Sequence, residues 1–381
     1  MNTPPPQCHS LTGRCSHPLL PIALIALFFL LAGCSTTAGN RTSAPRPTTS
    51  AGGAAIDPSL SPAVKKLVSE ANALAPLARS DLSRRFLAAT DSLPAIAPRL
   101  VFQDPQTREY FSPAEAAALT DARRSKLLKT ELDEFRYYYS KYGSPLAYMR
   151  VLDLAAENGI DDVAKKRVMD FGYGSIGQLR LLASLGARVT GIDPDSYLDA
   201  LYSESRDQGS VALAGRLLWL GGGDITLVHG NYPKDPAMVA RVGQGYDLII
   251  SKNTLKRGYL KPERKVEKRL LVELGVSDEV FLKTLSTALN PGGKLIIYNL
   301  YPKPAAAHEA YKPWADGRSP FSRRQFEKAG LRVLALDSPD HERAREIGRA
   351  LKWDRNDKGE VIDDLDTNLF ASYTILEKPL R

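Results

Sequence analysis

The chain is poor in cysteine and histidine, and where those residues fall excludes more than their numbers do. Its three cysteines are Cys8, Cys15 and Cys34, so nothing beyond residue 34 can form an internal disulfide or a thiolate metal site. Two of the five histidines, His9 and His17, also precede residue 34. The remaining three, His229, His308 and His341, are far apart in sequence, so a histidine-based metal cluster is not expected. No apolar run reaches the ~20 residues that a membrane-spanning helix needs. The longest, residues 19–32 (LLPIALIALFFLLA), has fourteen. No internal repeat is visible. No stripe of interleaved basic and aromatic residues marks a nucleic-acid module, and nucleic acid is not expected as a partner.

What is present suits a globular protein with ample core: 381 residues, 43% hydrophobic and 25% charged, with a net charge of +8. The apolar run at 19–32 has the length of a signal-peptide core. It leads into Leu31-Ala32-Gly33-Cys34, which resembles the bacterial lipoprotein processing box. That resemblance implies removal of residues 1–33 and lipidation of Cys34, with an uncleaved anchor or a buried helix as the alternative. Ser35 stands after the cysteine in place of an acidic residue, so the expected destination is a membrane facing the periplasm, the outer one favoured. Residues 34–56, rich in Ser, Thr, Ala, Gly and Pro, are expected to be a flexible tether.

Residues 57–144 read as a helical preface. Helical periodicity runs over 61–74 and 79–93, interrupted by Pro76 and Pro94. A longer helix is expected over 113–139, capped by Ser112, with Pro113 in its first turn and Glu115 three residues after the cap. The stretch 135–150 (FRYYYSKYGSPLAYMR) carries five tyrosines, which either pack the preface onto the rest of the chain or wall a ligand site. Tyr142, beside Gly143, is the best placed of them for the second role.

The rest of the chain is organised around residues 168–195, VMDFGYGSIGQLRLLASLGARVTGIDPD. An apolar strand hands over to a helix through Gly172, Gly174 and Gly177, where the backbone can turn sharply and a ligand can approach closely. Ile176, Leu179, Leu182, Ala183 and Leu185 recur at helical spacing, and Gly186 supplies the C-terminal stop. A second strand ends on Asp193, where a carboxylate can accept hydrogen bonds from ribose hydroxyls. Three more apolar strands follow at 225–232, 246–253 and 289–300, the last holding a Pro-Gly-Gly turn. A helix and strand are expected over 321–336 and a final strand over 369–377. The charged stretch 339–368 between them reads as a surface excursion with a helix over 341–353.

In this order, with an acid two residues before the first glycine, residues 145–376 resemble the class I S-adenosylmethionine-dependent methyltransferases. The resemblance implies a doubly wound, Rossmann-like, seven-stranded sheet over 145–381, behind the mainly helical extension, with S-adenosylmethionine as cofactor. Gly172, Tyr173, Gly174, Ser175 and Gly177 would lie against the cofactor, Asp170 would hold its ammonium, and Asp193 with Pro194 would border its ribose. Asn231, where the family commonly has aspartate, and Tyr232 would meet the adenine. Ser251 and Asn253 would border the sulfonium, and Arg136, Arg150 and Lys252 are candidates for the cofactor carboxylate. No catalytic base is identified: His229, one residue inside a strand end, reads more readily as structural, and neither His308 nor Tyr301 is singled out. The absence of Asn-Pro-Pro-Tyr at the fourth strand argues against the amino methyltransferases that bear it.

Residues 252–269 carry eight Lys or Arg against two Glu. They form either a solvated face or a surface turned to an anionic substrate or to lipid head groups. The substrate is expected to be a small molecule or an envelope component. Export sits uneasily with a cytoplasmic cofactor, so a second reading stands beside the enzyme: a non-catalytic envelope lipoprotein that uses the scaffold for binding. A nicotinamide-dependent oxidoreductase, resting on the glycines alone, is the third.

Overall fold

The computed structural model describes residues 56–211, 222–306, 308–356 and 358–380. The leader, Cys34 and all of the expected tether except Ile56 lie outside them. The N-terminal extension begins with helices Pro62–Leu74 and Asp81–Ala88, the second capped by the Ser80 side chain. The single helix expected over 113–139 is not formed. Its start is as expected, with the Ser112 and Glu115 side chains exchanging bonds in a capping box. The helix nevertheless ends at Ala118, and short helices Asp121–Arg124 and Glu134–Tyr139 flank a strand. The cause is local. Leu119 turns extended, Asp133 caps a new start by accepting from the Arg136 amide, and Leu128–Leu132 finds a partner strand. The extension therefore holds a three-stranded antiparallel sheet of β1 (Arg99–Gln103), β2 (Tyr110–Phe111) and β3 (Leu128–Leu132), in the order β2-β1-β3.

The main sheet contains β4 (Arg167–Phe171), β5 (Arg188–Asp193), β6 (Gly209–Ser210), β7 (Asp224–His229), β8 (Tyr246–Lys252), β9 (Leu289–Tyr301), β10 (Arg332–Pro339) and β11 (Phe370–Glu377). Their order is β10-β11-β9-β8-β4-β5-β7-β6. Strands β4, β5, β7, β8 and β9 are parallel, while β11 inserts antiparallel between β9 and β10. This is the doubly wound methyltransferase-type sheet, with the two-residue β6 added at one edge. Its central strands read as unbroken apolar runs because helices cover both faces. Val168, Leu248, Ile250 and Ile296 enter the core on one face, and Met169, Ile249, Leu295 and Ile297 enter the core on the other. The Pro-Gly-Gly turn lies within β9 as a bulge. Pairing jumps from Tyr246↔Leu289 to Leu248↔Lys294, so Asn290 to Gly293 bulge out of the ladder, with Gly292 at φ +78°.

Helix His341–Ala350 forms where expected, but the stretch around it is no surface excursion. Ala344 and Ile347 join the core, and Arg343, 6% exposed, faces the buried Asp153. Arg150 reaches Asp340 at its start through two bonds of 2.8 and 3.0 Å. Buried polar contacts also lock the N-terminal extension to the sheet. Asp153 accepts from the Ser80 amide at 2.9 Å and the Ser83 hydroxyl at 2.6 Å. A second such contact joins Arg99 of β1 to Asp207 at 2.8 Å, and Asp207 also accepts from the Tyr137 hydroxyl at 2.8 Å. Arg180 donates to that hydroxyl in turn. Among the described residues no helix is long and apolar enough to cross a membrane.

Candidate functional site

The chain proceeds from β4 through β5 to β7 in one direction across the sheet, then returns to β8 and β9 on the other side of β4. The carboxyl ends of β4 and β8 thus flank the point where the winding reverses, the usual crevice of a doubly wound sheet. The glycine turn stands there. Gly172 (φ +76°) and Gly174 (φ +63°) both adopt left-handed backbone, and a Cβ on Gly172 would lie 2.0 Å from the Thr254 hydroxyl oxygen. Gly172→Ala is accordingly expected to cost about 1–3 kcal/mol, read as a lower midpoint in urea denaturation. Gly177 opens helix Gly177–Ser184 with its Cα against Pro145 and the Tyr138 carbonyl, and Gly186 ends that segment at φ +92°, as the sequence implied.

Two carboxylates flank the turn. Asp170, fully buried on β4, accepts from the Tyr148 hydroxyl at 3.2 Å and the Gln178 amide at 3.1 Å. Burial raises its pKa to about 7, against the opposing pull of those bonds and of Lys252. Asp193, at the end of β5, accepts from the Gly174 amide at 3.3 Å and the Asp195 amide at 3.0 Å. Burial again dominates and lifts its pKa to about 6. Lys252 closes the group. Ile250 of β8 pairs with Asp170, and Lys252, two residues on, projects from the same face, its ammonium 5.3 Å from the centre of the Tyr148 ring. Burial lowers its pKa to about 8 although Asp170 favours its charge.

A segment of the extension covers the turn. The Ser140 hydroxyl donates to the Gly174 carbonyl at 2.6 Å, and the Tyr142 ring packs over the Gly174 Cα. The Tyr142 hydroxyl and the Lys141 ammonium both meet Asp195, at 2.9 and 2.6 Å. The tyrosine cluster divides accordingly. Tyr137 and Tyr138 are core residues, whereas Tyr142 and Tyr148 reach the site. A groove of about 510 Å³ lies elsewhere, between helices Pro236–Val242 and Asp278–Ala288, and shares only Tyr232 with the expected site.

The other expected residues fall into two groups. Tyr173 is buried, edge-on to His229, and Ser175 donates to Gln178 at 2.7 Å within the turn. Pro194 and Asn231 are exposed at the exits of β5 and β7, and Tyr232 is buried against Phe171. Ser251 is fully buried, its hydroxyl without a hydrogen-bond partner among the described residues, and alternation turns it to the face opposite Lys252. Asn253 is a turn residue at φ +64° whose amide oxygen accepts from the Leu300 amide at 2.7 Å. Arg150 is withdrawn from the site altogether. It is held by Asp340 and by Glu157 at 3.0 Å, because its helix, Met149–Glu157, turns that face towards the His341–Ala350 helix. Arg136 sits on Glu134–Tyr139, part of the extension. His229 meets Asp199 at 3.4 Å, and burial lowers its pKa. His308 is exposed, and Tyr301 stacks on Phe370.

Sequence reading did not single out Gln178, Thr254, Lys141, Asp195 or Lys256. Gln178 carried a signal, being a polar residue set among the apolar positions of its helix. The basic run 252–269 is divided. Lys252 and Lys256 are drawn into the protein, while Lys261, Arg264, Lys265, Lys268 and Arg269 are exposed.

No protein-family model and no curated protein matches the chain. Solved structures similar to it include magnesium protoporphyrin IX methyltransferase from Synechocystis PCC 6803 with bound S-adenosylmethionine. That protein is 16% identical, with 61% of this chain and 79% of that one covered and a TM-score of 0.31. An arsenic(III) S-adenosylmethionine methyltransferase from Chlamydomonas reinhardtii is 17% identical over 56% of this chain and 64% of that one, with a TM-score of 0.30. The fold assignment rests on the strand order and register of this chain itself.

Proposed function

We propose that the chain is a lipid-anchored S-adenosylmethionine-dependent methyltransferase acting on a small molecule or an envelope component. The observation that carries this reading is the opposed pair Asp170 and Lys252, on neighbouring parallel strands beside the glycine turn. Burial drives both towards neutrality, so the pair gains most from a ligand that brings an ammonium and a carboxylate together, as an amino-acid zwitterion does. Asp193 stands across the turn, placed to take ribose hydroxyls. When bound, S-adenosylmethionine supplies an electrophilic methyl group for in-line displacement. The protein's part is alignment: Asp170 and Lys252 fix the amino-acid end, Asp193 fixes the sugar, and the left-handed glycines let the backbone lie close to both.

Calorimetric titration of the full chain in detergent with S-adenosylmethionine, S-adenosylhomocysteine and NAD tests this. Micromolar binding of the first two and none of the third is expected. The shifted groups give that affinity a bell shape. Below about pH 7 Asp170, and below about pH 6 Asp193, take up protons that oppose binding. Above about pH 8 Lys252 loses the proton that favours binding. The dissociation constant should therefore rise about tenfold per pH unit once a single such group sits on its wrong side. Lys252→Met should flatten the alkaline limb and, by removing the cation that favours the Asp170 carboxylate, shift the acid limb to higher pH.

A second reading is favoured by one observation: the cradle is covered by the chain's own side chains, Thr254 over Gly172 and Tyr142 over Gly174. Under it the scaffold is a non-catalytic envelope binding protein. Absence of binding for all three ligands decides for it.

A further inference from the structure

We propose that the methyl acceptor carries an anionic group, a carboxylate or a phosphate, and that Lys256 is the residue that holds it. This rests on the reading of the cradle as a cofactor site and adds the substrate class. Lys256 lies just after the exit of β8, four residues beyond Lys252, and is only 4% exposed. Its ammonium donates to the Leu300 carbonyl, near the exit of the neighbouring parallel strand β9. The Tyr259 ring faces it with a centroid distance of 5.4 Å. No described carboxylate forms an ion pair with either lysine; the nearby acid is Asp170, whose oxygens are already engaged by Tyr148 and Gln178.

A buried ammonium beside a second one, with a single carbonyl for partner, is an arrangement that folding alone does not reward. Both effects push the same way: desolvation and then Lys252 lower the Lys256 pKa to about 7. On the β8–β9 side of the crevice the half-buried Lys252 and the buried Lys256 face one buried carboxylate, Asp170, because the other, Asp193, ends β5 on the ribose side; this side is therefore one negative charge short. The cofactor's amino-acid end is neutral as a zwitterion and does not supply that charge. A sulfonium in the same crevice adds a further cation. The missing anion has to arrive with the other reactant, and Lys256 is positioned on the β8–β9 side, away from Asp193 and the ribose end. Of the eight basic residues in the run 252–269, this selects the one whose charge is least solvated.

The test titrates the full chain with sodium phosphate and with sodium acetate, in the presence and absence of saturating S-adenosylhomocysteine, with acetamide as the neutral control. Phosphate or acetate is expected to bind and acetamide not; the better of the two anions identifies the group. Lys256→Met should weaken anion binding about tenfold or more, the worth of one charge-assisted hydrogen bond, and Lys256→Arg should largely restore it. Affinity for S-adenosylhomocysteine should remain within about twofold in both variants. Failure of both anions to bind, or equal anion affinity in parent and Lys256→Met, overturns the proposal while leaving the cofactor reading intact. Failure of S-adenosylhomocysteine to bind, with anion binding still dependent on Lys256, overturns the cofactor reading instead. Should Lys256→Met not fold, the parent protein suffices. Phosphate or acetate must slow carbamylation of Lys256 by cyanate, followed by peptide mass, and no protection overturns the proposal.

Discussion

Asp193→Ala should raise the dissociation constant for S-adenosylhomocysteine about a hundredfold or more. A carboxylate that accepts from both hydroxyls of a ribose makes two hydrogen bonds to a charged group, each worth about 1.5–3 kcal/mol, and a tenfold change in affinity is about 1.4 kcal/mol. The same carboxylate accepts from the Gly174 and Asp195 amides, so its removal also loosens the turn on which the ligand rests. Gly174→Val should act in the same direction for a steric reason. A β-branched residue at φ +63° is strained, and its Cβ would sit 3.1 Å from the Tyr142 ring. Calorimetry gives the affinities, and far-ultraviolet circular dichroism checks that each variant is folded. Unchanged affinity in both variants would remove the cradle as the cofactor site.

The largest stability effect is expected where the N-terminal extension meets the helix Gly177–Ser184. Asp207, 1% exposed, is the shared acceptor of Arg99 from β1 and of the Tyr137 hydroxyl, with Arg180 3.8 Å away. Arg99 and Arg180 are themselves buried. Asp207→Ala takes away the one buried carboxylate that Arg180 and Arg99 share, leaving Arg99 only the half-exposed Glu204, and should cost up to about 3–5 kcal/mol. Urea denaturation followed by tryptophan fluorescence reads it directly. Asp207→Asn, which keeps an acceptor oxygen for Tyr137, should cost less. A loss below about 1 kcal/mol for the alanine variant would show that Asp207 is not among the contacts that hold the extension.

The sheet was legible because its signals are local and repeated: buried strands read as apolar runs, and Gly172, Gly174 and Gly186 mark turns that need left-handed backbone. Asp170 and Asp193 were legible for the same reason, each standing where a strand ends. What escaped depends on contacts across long stretches of chain. The break in the 113–139 helix follows from the pairing of Leu128–Leu132 with β1, and a residue-by-residue helical pattern carries no trace of that partner. Arg150 looks like a free cation in sequence and is spent on Asp340, 190 residues away. The basic run looked uniform, yet the exit of β8 draws Lys252 and Lys256 inward while its remainder meets solvent. Charge counting along a chain does not distinguish these.

The covering of Gly174 has a spectroscopic meaning. Its amide proton is held by the Asp193 carboxylate, and the residue is roofed by a tyrosine from a separate part of the chain. Exchange of that proton with deuterium requires the roof to lift and the carboxylate to let go. A single glycine resonance therefore clocks the opening of the crevice. Its protection factor, measured at several pH values, separates the motion of the 140–143 segment from the titration of Asp193 without any ligand being added.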